Sequence, residues 1–235
     1  MTDDRLRQVL EQRYLGDRTS ACVAAAVIEQ AVSRAVACAD PGRRGDVEGA
    51  KAFEIGSISK TMTASLLASL TADGTLQLSD PVARHLPPGT QVPVFAGAPI
   101  LLAHLVTHTS GLPPIPSRFP AADPANPYAD LTDDELLASL ADVELVAPPG
   151  SRWVYSNFGG MLLSYVVSHV AGQSFEALAH DRLFGPLGMS RAYVAQRPAG
   201  TEAVVGHRST GAPVAAWDFP ASMAGVGGVR ATLDD

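Results

Sequence analysis

The 235 residues predict an α+β fold, with strands first and helices after them. Three observations carry that prediction. Two runs of small and β-branched apolar residues, ACVAAAVIE (21–29) and AVSRAVACA (31–39), follow one another directly and read as a hairpin. From Ser57 the apolar period becomes that of a helix. Beyond residue 100, further helical segments are bounded by capping and turn residues. The balance of 17 basic against 24 acidic residues gives a net charge of −7, and 46% of the residues are hydrophobic. Such a chain is globular, and without a basic run it is a poor partner for nucleic acid or an anionic membrane. No apolar stretch reaches the roughly 18 residues that span a bilayer. The start, MTDDRLRQVLEQRY, lacks the apolar core of a signal peptide, so a cytoplasmic location is expected.

Taken in order, residues 3–14 set Leu6, Val9, Leu10 and Tyr14 at helical spacing. The hairpin follows, with poor turn residues between its arms, so its register stays open. Cys22 and Cys38 fall symmetrically about residue 30, yet in a cytosolic chain they read as reduced core residues. A loop over 40–50 leads to AFEI (52–55), a third strand. The helix of 58–73 shows Met62, Ser65, Leu66, Ser69 and Leu70 on one face and ends near Gly74. Prolines 81, 87, 88, 93 and 99 mark a surface passage, and ILLAHLVTH (100–108) is a short buried helix. Residues 113–130 are a proline-rich loop with the character of a lid. Thr132 and Glu135 form a capping box that opens a helix over 133–141. A helix from Asn157 to Ala171 is closed by Gly172, and another covers 175–184 after Ser174. The chain thus divides into an N-terminal helix with the first strands (1–56), a helical region (57–195) and a return segment (196–235).

The chemistry concentrates at FEIGSISK (53–60). Only Lys51 and Lys60 among the basic residues are lysines. Arginine cannot be deprotonated in a protein, so a retained lysine is a candidate for work as a neutral amine. Ser57 and Lys60 are three apart, about 5–6 Å between Cβ atoms on one helix face. Ser57 is the candidate nucleophile, and Lys60, when neutral, is the base that takes its proton. Ser59 points about 100° away and is the poorer partner. The second piece is Trp153-Val154-Tyr155-Ser156-Asn157, after a Pro-Pro-Gly turn. Tyr155 offers a phenol that holds or relays a proton. Asn157 offers an amide for Lys60 or a substrate carbonyl, with Trp153 beside it on the substrate side. A half-buried tyrosine and a helix-capping asparagine remain the alternative reading of that pair.

Other signals carry less. His104 and His108 have the i, i+4 spacing of a zinc helix, but no third ligand follows in context, so no metal is expected. His108, in HTSGL, reads as a structural histidine beneath the site. Gly225, Gly227 and Gly228 read as close backbone packing rather than a phosphate cradle. No Gly-x-Ser-x-Gly elbow exists, which argues against an α/β-hydrolase. No cofactor is expected.

In family order and at family-like separations, five segments resemble the serine β-lactamase/penicillin-binding-protein superfamily, its class C-like branch with the family VIII carboxylesterases. They are FEIGSISKTMTA (53–64), DGTLQLSDPVARHLP (73–87), LLAHLVTHTSGLP (101–113), residues 148–189 around WVYSN, and AGVGGVRATLDD (224–235). The resemblance implies a β-lactamase/transpeptidase-like fold, an antiparallel sheet flanked by helices with a mostly helical subdomain. It also implies acyl transfer through an acyl-serine. Ser57 is then the nucleophile, Lys60 the base, Tyr155 the proton shuttle and Asn157 its companion, with the Ser57 N–H as half of an oxyanion hole. The family's third motif, Lys/His-Thr/Ser-Gly, does not occur after Tyr155. Thr232 to Asp235 reads as the opening of a further helix. A C-terminal segment that completes the sheet and the site is therefore expected to be missing. The expected function is hydrolysis of a small-molecule carboxylic ester, with amides and β-lactams open to the same chemistry. An acyltransferase using the same acyl-enzyme, or a binding relative without the third motif, is the alternative.

Overall fold

The structure, a computed structural model, describes residues 1–15, 22–120, 123–208 and 210–235. Residue 21 of the predicted hairpin and residues 121–122 of the predicted loop lie outside the described residues. The chain forms two compact units. One comprises Met1–Glu54, Ser190–Ala216 and Arg230–Asp235, the other Ile55–Met189 and Trp217–Val229. The return segment 196–235 is thus shared between them, because packing and not chain order draws the boundary.

In the first unit, helix α1 (Asp3–Leu10) is capped by Thr2, whose Oγ1 accepts the Arg5 N–H, and Asp3 and Asp4 suit the positive end of its dipole. After Leu10 the helix widens into a π turn, Glu11–Leu15. That extra residue per turn brings Leu15 inward and leaves Tyr14 59% exposed, which corrects the predicted stripe. Leu6, Leu10 and Leu15 pack on Ala35 and Ala37 of β2 (Val32–Cys38) and on Val23, Ala25 and Val27 of β1 (Cys22–Ile28). The two strands are antiparallel, in a register running from Cys22 opposite Cys38 to Ile28 opposite Val32. Direct opposition lets the two thiols join, and Cys22–Cys38 is a disulfide. The expectation of reduced core cysteines is therefore overturned, since the register that the turn residues left open is the one that pairs them. Disulfides persist in oxidising compartments, so this pairing runs against the cytoplasmic expectation. Strand β3 (Lys51–Glu54) lies antiparallel to Arg230–Ala231 and parallel to Glu202–Ala203, so this small sheet is mixed. Lys51 is absorbed here, paired with Glu202 across the parallel ladder.

The second unit is helical. Its helices include α2 (Ser59–Ala72), α3 (Leu102–Val106), α4 (Asp133–Ala138), α5 (Asn157–Ala171) and α6 (Phe175–Ala179), the last continuing through a π turn, His180–Phe184. Helix α5 runs over the predicted residues, capped by the Ser156 hydroxyl and ended by Gly172 at φ 67°. Phe158 to Ser168 are buried without a break, the mark of a helix enclosed on every side. It packs against α2, α3, α4 and α6. On α2 the buried face is Ser59, Thr63, Leu66, Leu67 and Leu70. The predicted stripe is thus rotated, with Ser65 in solvent, because buried hydroxyls at Ser59 and Thr63 find partners that their sequence does not show. The Thr132–Glu135 capping box forms as read, but α4 ends early and tightens into a 3₁₀ turn. Among the described residues no helix is long and apolar enough to cross a membrane.

Candidate active site

Strand β3 ends at Glu54, and Gly56 turns the chain at φ 54°, a conformation that side chains with a Cβ rarely adopt. The next residue, Ser57, sits exposed on a single 3₁₀ turn, Gly56–Ile58, that feeds α2. One turn on, Lys60 Nζ lies 3.1 Å from Ser57 Oγ. It also donates to the Val226 carbonyl at 2.7 Å. A Cβ at position 160 would stand 3.0 Å from Lys60 Cε, so Gly160 of α5 makes room for the lysine stem. Ser59 is fully buried and its Oγ accepts the Val229 N–H at 3.2 Å, a structural task.

The Val226 carbonyl is held in place from below. Gly225 donates its N–H to Ser164 Oγ at 3.0 Å and accepts from Thr63 Oγ1 at 2.9 Å. A Cβ there would meet Thr63 Oγ1 at 2.3 Å and the Phe175 ring at 2.4 Å. The close-packing reading of these glycines holds. The N–H groups of Gly227 and Gly228 both turn back to the Ala224 carbonyl, at 3.2 and 2.7 Å.

Tyr155 arrives from 98 residues away and donates its hydroxyl to Ser57 Oγ at 2.7 Å. Its segment is zipped against 108–114. Gly150 donates to the Thr109 carbonyl (2.8 Å), Val154 to the His108 carbonyl (2.8 Å) and Asn157 to the Pro114 carbonyl (2.8 Å). The Ser156 hydroxyl donates to the Pro113 carbonyl at 2.6 Å, and its N–H to His108 Nδ1 at 3.2 Å. Burial raises the Tyr155 phenol, but hydrogen bonding with Lys60 and Ser57 and the charge of Lys60 outweigh it and hold the phenol below its usual range. Lys60 Nζ is 5.0 Å from the Tyr155 ring centre. A nucleophile, an amine and an acidified phenol therefore share one point.

Asn157 departs from the expectation. The helix cap is Ser156, and the Asn157 amide donates to Tyr128 Oη at 3.3 Å rather than reaching Lys60. Tyr128, on the proline-rich loop 113–130, stacks on Phe219 with ring centres 4.7 Å apart and contacts Phe119 and Trp217. A reciprocal pair ties that loop down, since Asn126 Nδ2 donates to Asp218 and the Asp218 N–H to Asn126 Oδ1. Phe219 covers Gly227 and Gly228. The aromatic residues of 113–130 beside a Trp-x-Phe were the available signal. Trp153 stands 68% exposed, its ring edge-on to His108 at 6.4 Å, away from the Ser57 hydrogen bonds.

The zinc spacing dissolves in the fold. Helix α3 stops at Val106, and His108 lies beyond it at φ 56°, so the two histidines do not share a helix face. His104 Nδ1 accepts the Leu101 N–H at 3.1 Å and His108 Nδ1 that of Ser156. Among the described residues no three metal-ligating side chains come together.

A serine fixed between an amine and a phenol on a mixed α+β frame defines the class to compare. The Beta-lactamase family model matches residues 7–235, and the chain belongs to that family. It is 36% identical over 135 residues to the D-alanyl-D-alanine-carboxypeptidase/endopeptidase AmpH of Escherichia coli K12, covering 57% of this chain and 34% of that one. Against a Beta-lactamase of Pseudomonas fluorescens the identity is 32% over 142 residues, covering 60% and 36%. The structure of a Beta-lactamase/D-alanine carboxypeptidase from Yersinia pestis complexed with citrate superposes with a TM-score of 0.77 at 25% identity, over 97% of this chain and 65% of that one. Its counterpart from Pseudomonas syringae, at TM-score 0.78 and 22% identity over 99% and 62%, shares the fold. The chain spans 34–36% of the length of those two curated relatives.

Proposed function

We propose that the chain carries the acyl-serine site of a hydrolase that cleaves carboxylic esters. The observation behind the reading is Ser57 Oγ held at once by Lys60 Nζ at 3.1 Å and Tyr155 Oη at 2.7 Å. Ser57 Oγ attacks the carbonyl carbon as its proton passes to Lys60 in the form that has a free lone pair, one of whose N–H groups stays on the Val226 carbonyl. The C–O bond to the leaving alcohol then breaks, and Tyr155 hands that oxygen a proton, drawing in turn on Lys60. Water repeats the sequence to release the acid. The Ser57 N–H serves as one oxyanion donor. Ester specificity is supported by the apolar surroundings: Ile58 and Val154, chain neighbours of Ser57 and Tyr155, are exposed, and Tyr128, Phe219 and Trp217 stand together near Asn157. A cytoplasmic location is not part of this reading, because the Cys22–Cys38 disulfide argues the other way.

In the family pattern a second oxyanion donor comes from the third-motif strand, so full turnover is proposed to need that strand. Removal of one such donor costs about 10²–10³ in rate. A fluorophosphonate probe should label the chain at Ser57, Ser57→Ala should abolish labelling, and Ser59→Ala should retain it. Turnover of p-nitrophenyl esters should rise when the chain is extended by a third-motif strand. Equal labelling of Ser57→Ala and wild type would sink the assignment, and full turnover without the strand would sink the second donor.

A further inference from the structure

His108 is held in an expensive conformation for a purpose that the acyl-serine chemistry does not itself consume. Its backbone sits at φ 56°, in the left-handed region that strains a residue other than glycine. What that strain secures is a double grip on the tyrosine segment. The His108 carbonyl accepts the Val154 N–H at 2.8 Å, and its Nδ1 accepts the Ser156 N–H at 3.2 Å. Those are the two residues that flank Tyr155. The imidazole also lies against the Tyr155 ring, with centres 4.5 Å apart. With Lys60, Thr63 and Gly160 it lines a cavity of about 20 Å³ under the site.

We propose that His108 is the positioning residue of the site, and that its neutral imidazole, as acceptor of the Ser156 N–H, fixes Tyr155 with its hydroxyl on Ser57. The proposal rests on the acyl-serine reading above. Since Nδ1 accepts a backbone N–H, the neutral ring carries its proton on Nε2. Protonation adds a second proton at Nδ1, turns the acceptor into a donor facing another donor, and opens the grip. Lys60 on α2 and Tyr155 on the gripped segment are the titratable groups that face the ring. Burial, and then the charge of Lys60, hold the imidazole below the usual histidine range. The sign follows: the neutral, gripping form persists through mild acid and is lost only as pH falls through that lowered value.

The test compares acylation of Ser57 by a fluorophosphonate across the histidine titration range in three proteins. His108→Asn places Oδ1 where Nδ1 stood, accepts the same N–H, tolerates positive φ and does not titrate. It should acylate within about tenfold of wild type at neutral pH and lose the histidine-dependent acid limb. His108→Phe keeps a ring against Tyr155 but no acceptor, and acylation should fall about 10²-fold, the effect of a misplacement near 1 Å. The second arm needs no turnover and no variant that must fold. In wild type the Ser156 amide proton should shift in an NMR titration with the midpoint of the acid limb. Identical rates and acid limbs in all three proteins overturn the proposal, and so does a Ser156 amide that ignores the His108 titration. A wild type that is never acylated at Ser57 removes the hydrolase reading, while the Ser156 amide still decides what His108 does.

Discussion

In the unit that holds Ser57, burial runs through large side chains: Phe158, Phe175, Phe184 and six leucines of α2 to α4 are almost wholly removed from solvent. In the other unit, the cluster beneath α1 is made of Leu6, Leu10 and Leu15 over alanines and valines, while Ile28 is left 80% exposed. A two-stranded hairpin is marginal in water, and alanine contributes little apolar area. There a covalent link, Cys22–Cys38, does what side-chain volume does around α5. The site is thus set where packing is continuous, so that Gly160 and Gly225 can fix Lys60 and the Val226 carbonyl to within ångströms. Both glycines pack against bulk that the hairpin unit lacks.

That difference can be tested from its strongest consequence down. Lys60→Arg keeps the charge but cannot accept the Ser57 proton, and its larger head must fit beside Gly160. Acylation should fall by about 10²–10⁴, almost as far as in Lys60→Ala. Near-normal acylation would reduce Lys60 to an electrostatic role. Next in size, Phe158→Ala should destabilise the packed unit by about 3–5 kcal/mol, read from chemical denaturation, because α5 cannot collapse around the cavity. A loss below 1 kcal/mol would mean that the burial around α5 is not limiting. Smallest is Cys22→Ser, which opens a link across 16 residues and should cost about 3 kcal/mol by the loop-entropy argument. Its fluorophosphonate labelling rate should stay at the wild-type level, since every hydrogen bond to Ser57 and Lys60 described above lies within the other unit. A clear fall in the labelling rate of folded Cys22→Ser would erase the contrast between the units.

Much of the fold was legible where a signal and its consequence lie within one turn of chain. Gly172 closes α5, Thr132 and Glu135 close their capping box, and Ser57 and Lys60 meet across three residues. Even the Thr232–Asp235 pair forms both bonds of a capping box, Asp235 accepting the Thr232 N–H at 2.8 Å and returning its own to Thr232 Oγ1 at 3.3 Å. Reading failed where a neighbour distant in sequence chose the outcome. The stripe on α2 rotated because Val229 and Gly225 supply partners for Ser59 and Thr63. Asn157 turned to Tyr128 because the 113–130 loop is clasped to Asp218.

The sequence by itself determined the class of the fold, the caps at Thr132, Ser174 and Gly172, and the serine and lysine that face each other, because each depends on bonds and side chains a few residues apart. Only the tertiary structure decided that the cysteines pair, that His108 leaves its helix to grip the tyrosine segment, and that a carbonyl 166 residues from Lys60 accepts a hydrogen bond from it. Those outcomes depend on which distant segments share a packed surface, and the loss of chain entropy in bringing them together is recovered from the whole core and not from the residues that meet.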